Sequence, residues 1–312
     1  IMKQKIATIF GASGFIGRHL LRSLAEKDFR IVVATRSPYL NGHLKPLGNP
    51  GQIDLEKVNI YDQENLKNLV RNSNVVINLV GILNENRKQK FVNIHEKFPN
   101  LLSQICNEFN IEKFIHISAL GPNQKIKSNY ISSKLRGEEK IFENFENSVI
   151  LRPSIVFGPE DKFFNQFAFL SQFLPFLPLF GEGKTKFQPV YVGDVVKSIN
   201  AILNKENINK NIYEIVGPEI YSFRELLEIV LKLVNRKKFF LNIPFSIAKI
   251  QAFFMQMMPN PLLTIDQVEI LKYDNIATGM NPTIFDLDIL PSTIESILPD
   301  YIYRFRKGGQ FT

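Results

Sequence analysis

Cysteine and histidine are scarce in this 312-residue sequence. Its one cysteine, Cys106, has no second cysteine to pair with, so no disulfide can form within the chain. That scarcity predicts a reducing, intracellular compartment. The four histidines are scattered along the chain, so the ligand spacings typical of metal clusters are missing and no metal site is expected.

Long apolar runs are also absent. The most hydrophobic stretches are 163–180, which two prolines interrupt, and 239–258, which contains Lys249 and three amide side chains. Neither offers the roughly 20 consecutive apolar residues that a membrane-spanning helix needs, so we expect no transmembrane helix. The first apolar run, 6–10, is only as long as a strand, which predicts that no signal peptide precedes the fold.

A strong basic cluster is missing too. The formal net charge is +8, but the lysines are scattered and the longest basic run is 236–238. No nucleic-acid recognition motif accompanies them, so we interpret the charge as solvated surface and expect no nucleic-acid partner. The composition, 45% hydrophobic and 22% charged, is that of an ordinary globular chain, long enough for one large or two moderate cores.

The most informative feature is an apolar run of strand length that leads into three glycines spaced three residues apart, Gly11, Gly14 and Gly17. Gly11 permits a tight turn, Gly14 lets the backbone approach a pyrophosphate, and Gly17 lets the following helix pack closely. A helix that starts here presents free N–H groups and the positive end of its dipole to phosphate. The pattern therefore predicts a nucleotide site. The residues expected to form it are Gly11, Ser13, Gly14, Phe15, Ile16, Gly17 and Arg18.

Runs rich in β-branched residues recur along the first half of the chain and alternate with helical patterns. The strand-like runs are 30–35, 75–80, 114–118 and 148–157, and the helical patterns include 64–71 and 101–109. This alternation predicts right-handed βαβ crossovers. We expect an α/β fold with a doubly wound parallel sheet of the Rossmann type, whose ligands bind at the carboxyl ends of the strands.

The second half of the chain differs from the first in its residue composition and in its sequence pattern. It is first rich in phenylalanine and proline and then mainly helical. We therefore predict a nucleotide-binding domain over 1–160, to which 185–205 returns. A smaller, mainly helical C-terminal domain is expected over 161–184 and 206–312, where it would supply substrate or partner contacts.

The residue that ends the second strand decides which nucleotide this kind of fold binds. An acidic side chain there holds the ribose 2′-hydroxyl, whereas an arginine suits a 2′-phosphate. Here the strand ends with Ala34-Thr35-Arg36 and no acidic residue follows, and Arg18 can converge on the same region. We predict NADP(H) rather than NAD(H).

A candidate acid–base set follows the glycine pattern. Tyr130 and Lys134 lie four residues apart on one face of a predicted helix, and Ser118 ends a strand twelve residues before Tyr130. A neighbouring ammonium lowers the pKa of a tyrosine towards working pH, and a serine hydroxyl can hold a substrate oxygen. Ser118, Tyr130 and Lys134 are therefore the predicted catalytic residues for proton transfer that accompanies hydride transfer.

Several motifs together resemble a known family. They are Gly-Ala-Ser-Gly-Phe-Ile-Gly at 11–17, Tyr130-x-x-x-Lys134, Leu-Arg-Pro at 151–153, Phe-Gly-Pro at 157–159 and Pro-Val-Tyr-Val-Gly-Asp-Val at 189–195. In this combination they resemble the extended and atypical short-chain dehydrogenase/reductases over most of the chain. The segments 76–81, 114–121, 263–268 and 274–275 resemble, within that superfamily, the nucleotide-binding accessory subunits of respiratory complex I and their bacterial relatives.

This resemblance implies a tightly held NADPH with a structural or regulatory role. It implies complex I subunits near the quinone region as partners, and a peripheral position on the cytoplasmic side of a bacterial inner membrane or the matrix side of a mitochondrial one. It also implies that Val80, Gly81 and Pro153 join Tyr130 and Lys134 in the cofactor site.

Two other functions stay open. The intact set of Ser118, Tyr130 and Lys134 also fits a free NADPH-dependent reductase or epimerase acting on a small carbonyl, sugar or isoprenoid-like substrate. Sugar-nucleotide epimerases of the superfamily, however, usually carry an acidic residue where Arg36 stands. The third function is a nucleotide-sensing scaffold with neither turnover nor a complex I partner. His95 falls near a position where relatives often place an asparagine, and we interpret it as a helix-face residue without a catalytic role.

A segment crowded with phenylalanine and methionine, 245–258, has two interpretations. Such stripes usually lie in a core, which favours burial within the smaller domain. An exposed stripe would instead meet a membrane protein or lipid headgroups. The aromatic and basic stretch 301–307 suits an anionic surface and so adds weight to the second interpretation.

Overall fold

The computed structural model describes residues 4–121, 126–205, 211–258, 261 and 263–307. The strands are β1 (Ile6–Phe10), β2 (Arg30–Thr35), β3 (Ile53–Lys57), β4 (Val75–Asn78), β5 (Lys113–Ile117), β6 (Ser148–Pro153), β7 (Val156–Phe157), β8 (Phe176–Phe180), β9 (Lys186–Phe187), β10 (Val190–Tyr191), β11 (Ile212–Ile215), β12 (Tyr221–Ser222) and β13 (Phe239–Ile243). The helices are α1 (Phe15–Glu26), α2 (Gln63–Val70), α3 (Phe98–Glu108), α4 (Asn129–Asn144), α5 (Phe163–Phe173), α6 (Val192–Asn204), α7 (Phe223–Leu233), α8 (Phe245–Met255), α9 (Ile265–Ile270) and α10 (Ile294–Ile302). No helix within these ranges combines the length and the apolarity that crossing a bilayer requires.

Seven of the strands form one sheet, in the order β11-β6-β5-β4-β1-β2-β3. The pairings from β3 across to β6 are parallel, with Phe10 of β1 opposite both Ala34 of β2 and Asn78 of β4. The order along the sheet reverses between β1 and β4, which is the point where open α/β sheets bind ligands outside the carboxyl ends of their strands. The predicted doubly wound parallel sheet is confirmed.

The chain divides into two compact units of three segments each. Unit 1 comprises Ile1–Ala119, Ser133–Arg152 and Val195–Tyr213, and unit 2 comprises Leu120–Ser132, Pro153–Asp194 and Glu214–Thr312. Unit 1 contains β1 to β5 of the large sheet, and unit 2 contains three two-stranded sheets that pair β7 with β10, β9 with β12 and β8 with β13. Each unit has an apolar core of its own.

The core of unit 1 combines side chains of β1, β4 and β5 with those of α2 and α3. The rings of Phe10 and Phe98 meet edge to face, with centroids 5.5 Å apart. Cys106 is fully buried in the same core, and burial raises the pKa of its thiol far above the ordinary value. In this position the cysteine is a small packing residue with an inert thiol.

The core of unit 2 is built largely from phenylalanine rings. Phe164 of α5 and Phe223 of α7 are buried, and the Phe163 ring lies between them, with centroids 5.1 and 6.0 Å away. α7 begins at a capping box in which the Ser222 hydroxyl accepts the Glu225 N–H, and one apolar side of the helix faces the rings. Aromatic pairs of this kind add to the energy of apolar burial.

Burial of the segment 245–258, which its composition favours, is wrong for most of its large side chains. α8 turns Ala248 and Ala252 inwards, and both are fully buried. Because these alanines, four residues apart, occupy the inner side of the helix, the large residues on its other sides point outwards. Four of these, together with two methionines just after the helix, have exposed fractions of 49–77% and form what we call the α8 surface, namely Ile247, Ile250, Phe253, Phe254, Met257 and Met258.

Candidate functional site

The turn after β1 has the shape that the glycine pattern predicts. Gly11 has a φ of +83°, a conformation that favours glycine, and a side chain there would start 3.0 Å from the backbone of Leu79 and Val80. The Gly14 N–H donates to the Gly11 carbonyl at 3.0 Å and closes the turn. The backbone of the turn is therefore pressed against the segment that follows β4.

α1 starts from this turn with an open amino end. Among the described residues no side chain caps the helix, and its first turn, which begins with Phe15 and Ile16, has no acidic residue. A side chain at Gly17 would overlap the backbone of Ala12, so only glycine lets the helix come this close to the turn. The first N–H groups and the positive dipole end of α1 are available to an anion.

Arg18 acts on the turn itself. Its Nη1 donates to the Ser13 carbonyl at 2.9 Å, which braces the middle of the glycine pattern. Part of the guanidinium is thus committed to the turn. Its convergence with Arg36 on one phosphate stays a prediction.

Arg36 directly follows β2 and is exposed. Because β1 and β2 are parallel and in register up to Phe10 opposite Ala34, Arg36 and the glycine turn lie at the same edge of the sheet. β2 ends without an acidic residue, as the sequence shows. In this type of fold, the ribose that carries the distinguishing 2′-group binds at this strand end. The exposed cation at that position is Arg36.

The segment after β4 meets a lysine from α4. The Val80 N–H donates to the Asn78 Oδ1 at 3.0 Å, which fixes the start of the segment. Gly81 follows and is exposed, and a side chain on it would start 3.4 Å from the Lys134 Nζ. Val80, Gly81 and Lys134 therefore lie together at the carboxyl edge of unit 1.

Lys134 brings a buried ammonium to this edge. The residue is 3% exposed, and its Nζ donates to the Ile117 carbonyl at 3.1 Å. Burial lowers the pKa of Lys134 to about 8, and the charge of Glu138 opposes that shift. Glu138 is itself engaged by Arg152, whose Nη2 lies 2.5 Å from its Oε2. Lys134 is therefore a cation with an unusually weak hold on its proton.

Ser118 follows β5, directly after the residue whose carbonyl Lys134 binds. It is 5% exposed, and its N–H donates to the Leu151 carbonyl at 2.8 Å. In the part of the chain that the structure describes, its Oγ has no hydrogen-bond partner. An unsatisfied buried hydroxyl costs about 1–3 kcal/mol, so a ligand atom that bonds to it would recover that energy.

Tyr130 precedes Lys134 by one turn of α4 but belongs to unit 2. Burial, together with the charge of Asp266, raises the pKa of its phenol to about 12. The predicted lowering of this pKa by a neighbouring ammonium is therefore wrong, because desolvation and a carboxylate both disfavour the phenolate. Both effects favour the protonated phenol.

Asp266 explains how α4 begins. Its carboxylate accepts the Ser128 hydroxyl at 2.7 Å, the Asn129 N–H at 2.7 Å and the Tyr130 N–H at 3.2 Å. These bonds satisfy donors that the start of a helix leaves open. Asp266 belongs to one of the motifs that carry the family resemblance, and its contacts show that it holds the helix turn that bears Tyr130.

Asn275 links the chain after β5 to the chain after β6 within unit 2. Its Nδ2 donates to the Leu120 carbonyl at 3.0 Å, and its Oδ1 accepts the Ser154 hydroxyl at 2.6 Å. Pro153, the predicted cofactor residue at the end of β6, is buried and accepts the Leu120 N–H at 2.9 Å. Pro153 thus lies beside the segment that follows Ser118 in the sequence.

His95 lies on the helical segment that leads into α3. It is fully buried in a π-helical turn, Val92–Lys97, that leads into α3. Its Nε2 accepts the Ile82 N–H at 3.1 Å, and its Nδ1 lies 3.0 Å from the Ser133 Oγ. Burial, reinforced by the charge of Lys134, lowers the pKa of His95 to about 2. The predicted place on a helix after β4 is confirmed, whereas the absence of a catalytic role stays a prediction.

Comparison with known proteins identifies the family of the chain. Residues 7–216 match the model of the NAD dependent epimerase/dehydratase family. The mitochondrial NADH dehydrogenase (ubiquinone) 1 alpha subcomplex subunit 9 of Arabidopsis thaliana is 32% identical over 316 residues, which cover 97% of this chain and 79% of that protein. The protein of the same name from Rattus norvegicus is 33% identical over 294 residues, or 93% of this chain and 78% of the relative.

The fold also has solved counterparts. The dTDP-glucose 4,6-dehydratase of Bacillus anthracis, solved in complex with NAD, superposes with a TM-score of 0.70 over 96% of this chain and 95% of that one. At 17% identity this likeness concerns the fold alone. From the family match and the two relatives, the chain belongs to the NAD dependent epimerase/dehydratase family, and within it to the relatives of the alpha subcomplex subunit 9 proteins.

Proposed function

We propose that the chain is an NADP(H)-binding accessory subunit of NADH:ubiquinone oxidoreductase, respiratory complex I, with a mainly structural or assembly role. The observation that carries the proposal is the similarity to the subunit 9 proteins, which extends over 93–97% of the chain. The partners in this proposal are complex I subunits near the quinone region. The protein would sit peripherally on the membrane, on the cytoplasmic side in a bacterium or the matrix side in a mitochondrion.

The residues at the carboxyl edge of unit 1 fit a dinucleotide. The turn at Gly11 lies so close to the backbone of Leu79 and Val80 that a side chain there would press against it. The start of α1 is open to an anion, and the Ser118 hydroxyl has no bond within the described residues. The phosphates would be held by the glycine turn and the start of α1, that is by Gly11, Ser13, Gly14, Phe15, Ile16, Gly17 and Arg18. Arg36 would hold a 2′-phosphate, which favours NADP(H) over NAD(H).

The electrostatics of the acid–base set support holding the nucleotide without turnover that needs a base. A bound nicotinamide would supply or accept hydride. For its part, Tyr130 keeps its proton at neutral pH, and Lys134 has a pKa lowered to about 8. The raised pKa of the Tyr130 phenol disfavours the phenolate that oxidation or epimerisation of an alcohol would use as a base, which supports holding the nucleotide over turnover.

A free NADPH-dependent reductase is the second candidate, and one observation favours it. The buried Ser118 hydroxyl is unpartnered in the described structure, and a protonated Tyr130 suits proton donation to a carbonyl oxygen. Tyr130→Phe separates the two candidates. A subunit that only holds nucleotide keeps its nucleotide and its cellular role in this variant, whereas a reductase loses its activity.

Unit 2 carries a surface suited to a membrane-bound partner or to the membrane itself. The α8 surface exposes six large apolar side chains, and exposed apolar patches of this kind mark interaction sites. Unit 2 also carries the basic stretch 301–307, which lies against the end of α7 because the Lys307 N–H donates to the Val234 carbonyl at 3.3 Å and the Arg236 Nη2 to the Phe305 carbonyl at 3.5 Å.

Flotation with vesicles tests that contact. We expect the wild-type chain to float with vesicles rich in anionic lipid and less with neutral ones. The double variant Phe253→Ser and Phe254→Ser should lose flotation. The matched control is Met280→Ser with Leu290→Ser, since these side chains are 86% and 85% exposed outside the α8 surface. Equal flotation of all three proteins would remove the membrane contact from the proposal.

Affinity purification from mildly solubilised membranes tests the main proposal. The tagged chain is isolated with its native partners, the co-purifying proteins are identified, and the released nucleotide is quantified. Complex I subunits together with about one NADP(H) per chain are the expected result. Recovery of the chain alone with NADP(H) would favour the reductase or a nucleotide-sensing scaffold. In a Gly14→Val variant, loss of both nucleotide and partners would show that the nucleotide supports assembly.

A further inference from the structure

The segment that follows β4 is held at both ends by buried side chains. The Asn78 Oδ1 accepts the Val80 N–H at 3.0 Å, and the His95 Nε2 accepts the Ile82 N–H at 3.1 Å. Between these two bound N–H groups lies the exposed Gly81. We call this stretch, 80–82, the Gly81 wall. Its backbone is thus fixed from inside unit 1.

The direction of the hydrogen bonds defines the state of the His95 ring. The Ile82 N–H can only donate, so Nε2 carries no proton and Nδ1–H donates to the Ser133 Oγ at 3.0 Å. Burial and the charge of Lys134 keep the ring neutral, with a pKa lowered to about 2. A carboxylate in this place would compete for the Lys134 ammonium, whereas a neutral ring leaves it available.

His95 and Lys134 approach the same point. A side chain on Gly81 would start 3.8 Å from the His95 Nε2 and 3.4 Å from the Lys134 Nζ. Ser133, whose Oγ accepts the hydrogen bond from the His95 Nδ1–H, is the residue before Lys134 in α4. A side chain on Gly137, one turn after Ser133, would overlap the His95 carbonyl, so the helix and the π-helical turn are in backbone contact. His95 therefore connects the Gly81 wall to the turn of α4 that delivers Lys134.

The local backbone and a neighbouring ring hold His95 in place. The turn Val92–Lys97 is π-helical, a rare form that is frequent at functional sites. The ring of Phe91 stacks on the imidazole with centroids 5.3 Å apart and an interplanar angle of 19°. The imidazole is thus restrained by two hydrogen bonds and a stacked ring.

We propose that His95 is a positioning residue that holds the Gly81 wall against Lys134, where the nicotinamide half of the dinucleotide would lie. Arg36, at the end of β2, marks the adenosine half, and the ends of β4 and β5 are on the other side of β1. The inference rests on the proposed function only in naming the ligand. It states that His95 affects the binding of the nicotinamide half of the dinucleotide and leaves the binding of the adenosine half unchanged.

The test compares His95→Asn with His95→Gln. Glutamine can place its amide oxygen near the position of Nε2 and accept the Ile82 N–H, whereas asparagine reaches only as far as Nδ1 and its bond to Ser133. Dissociation constants are measured for NADPH and for 2′-phospho-ADP-ribose, which lacks the nicotinamide. His95→Asn should weaken NADPH binding by about tenfold and the fragment by less than about twofold, and His95→Gln should restore most of the NADPH affinity.

Equal weakening of both ligands in His95→Asn, or no recovery in His95→Gln, would overturn the proposal and leave His95 a general structural role. Amide hydrogen exchange at Ile82 in the nucleotide-free chain gives a readout that does not depend on binding. Protection there should fall by about tenfold in His95→Asn and persist in His95→Gln. Unchanged protection in the asparagine variant also overturns the proposal. A wild-type chain that binds neither ligand contradicts the proposed function, and the exchange at Ile82 still decides the role of His95.

Discussion

The Lys134 ammonium donates a hydrogen bond to the carbonyl of Ile117, so a buried cation contacts the last residue of a central strand. The pKa of the lysine falls from its ordinary 10.5 to about 8 because burial outweighs the charge of Glu138. Between pH 8 and 10.5 the unfolded chain therefore holds more protons at this group than the folded chain. The free energy of unfolding therefore rises with pH across that window. Below pH 8 the buried charge of Lys134 lowers the free energy of unfolding by a constant amount of about 3 kcal/mol.

Lys134→Met should therefore stabilise the fold at neutral pH. We expect the free energy of unfolding at pH 7 to rise by ~1–2 kcal/mol, since the removed penalty exceeds the lost hydrogen bond to Ile117. Urea unfolding at pH 7 and pH 10 measures the effect, and the gap between variant and wild type should shrink at the higher pH. Lys140→Met, on the same helix but paired at the surface with Glu143, should show no gain. A gap that is independent of pH would contradict this assignment.

Gly17→Ala should destabilise unit 1. The new methyl group overlaps the backbone of Ala12, so α1 must move away from the turn. We expect the free energy of unfolding to fall by ~1–3 kcal/mol and nucleotide affinity to fall with it. Gly42→Ala is the control, because a side chain there meets no atom within 4 Å. Thermal unfolding and NADPH titration of both variants make the comparison, and equal behaviour of the two would show that close packing at Gly17 is unimportant.

Arg36→Asp should change the nucleotide preference. An aspartate at the end of β2 repels a 2′-phosphate and can bind a ribose hydroxyl. NADPH affinity should fall by at least about tenfold while NADH affinity is kept or improved. Arg71→Asp makes the same change in charge just before β4, at the opposite edge of the sheet, and should leave the preference intact. If the ratio of the two affinities in Arg36→Asp matches wild type, Arg36 does not select NADP(H).

Asp266→Asn should lower the pKa of the Tyr130 phenol below about 12, because it removes the negative charge that adds to the effect of burial. The difference between ultraviolet pH titrations with and without Tyr130→Phe isolates this phenol. Asp266→Ala removes the acceptor of three donors and should cost ~2 kcal/mol in the free energy of unfolding. Asp300→Ala, at an exposed position in α10, is the control and should cost little. A phenol pKa that stays unchanged in Asp266→Asn would mean that burial alone raises it.

The strands that the sequence predicts best are those buried in the middle of the sheet. The run 30–35 is a strand with those bounds, and the run that starts at Val75 ends two residues earlier than predicted. β3 was not predicted, since it lies at the sheet edge and its half-exposed Asp54 and exposed Glu56 break the apolar pattern. β13 was not predicted either, and it falls in a region whose composition predicts helix. Its pairing with β8 is a tertiary contact, which a local sequence pattern does not show.

The same division holds at the candidate site. The spacing of Gly11 and Gly17 reveals their conformational roles, because those roles depend on a few neighbouring residues. Ser118 and Lys134 are placed by their strand and helix. The contacts of Asp266 are different, since its partner Ser128 is 138 residues away in the sequence. His95 likewise owes its role to a π-helical turn and to groups on two other segments, which periodicity cannot reveal.

Cys106 can report when the core of unit 1 opens to solvent. Since the only thiol is sealed in the core of unit 1, an added thiol reagent reaches it only when that core is exposed. The labelling rate under native conditions therefore counts the openings of unit 1, while unit 2, which has no cysteine, contributes nothing to the signal. A cysteine introduced on the surface of unit 2 would react with the reagent at once. A probe can therefore be attached there while Cys106 still reports the opening of unit 1.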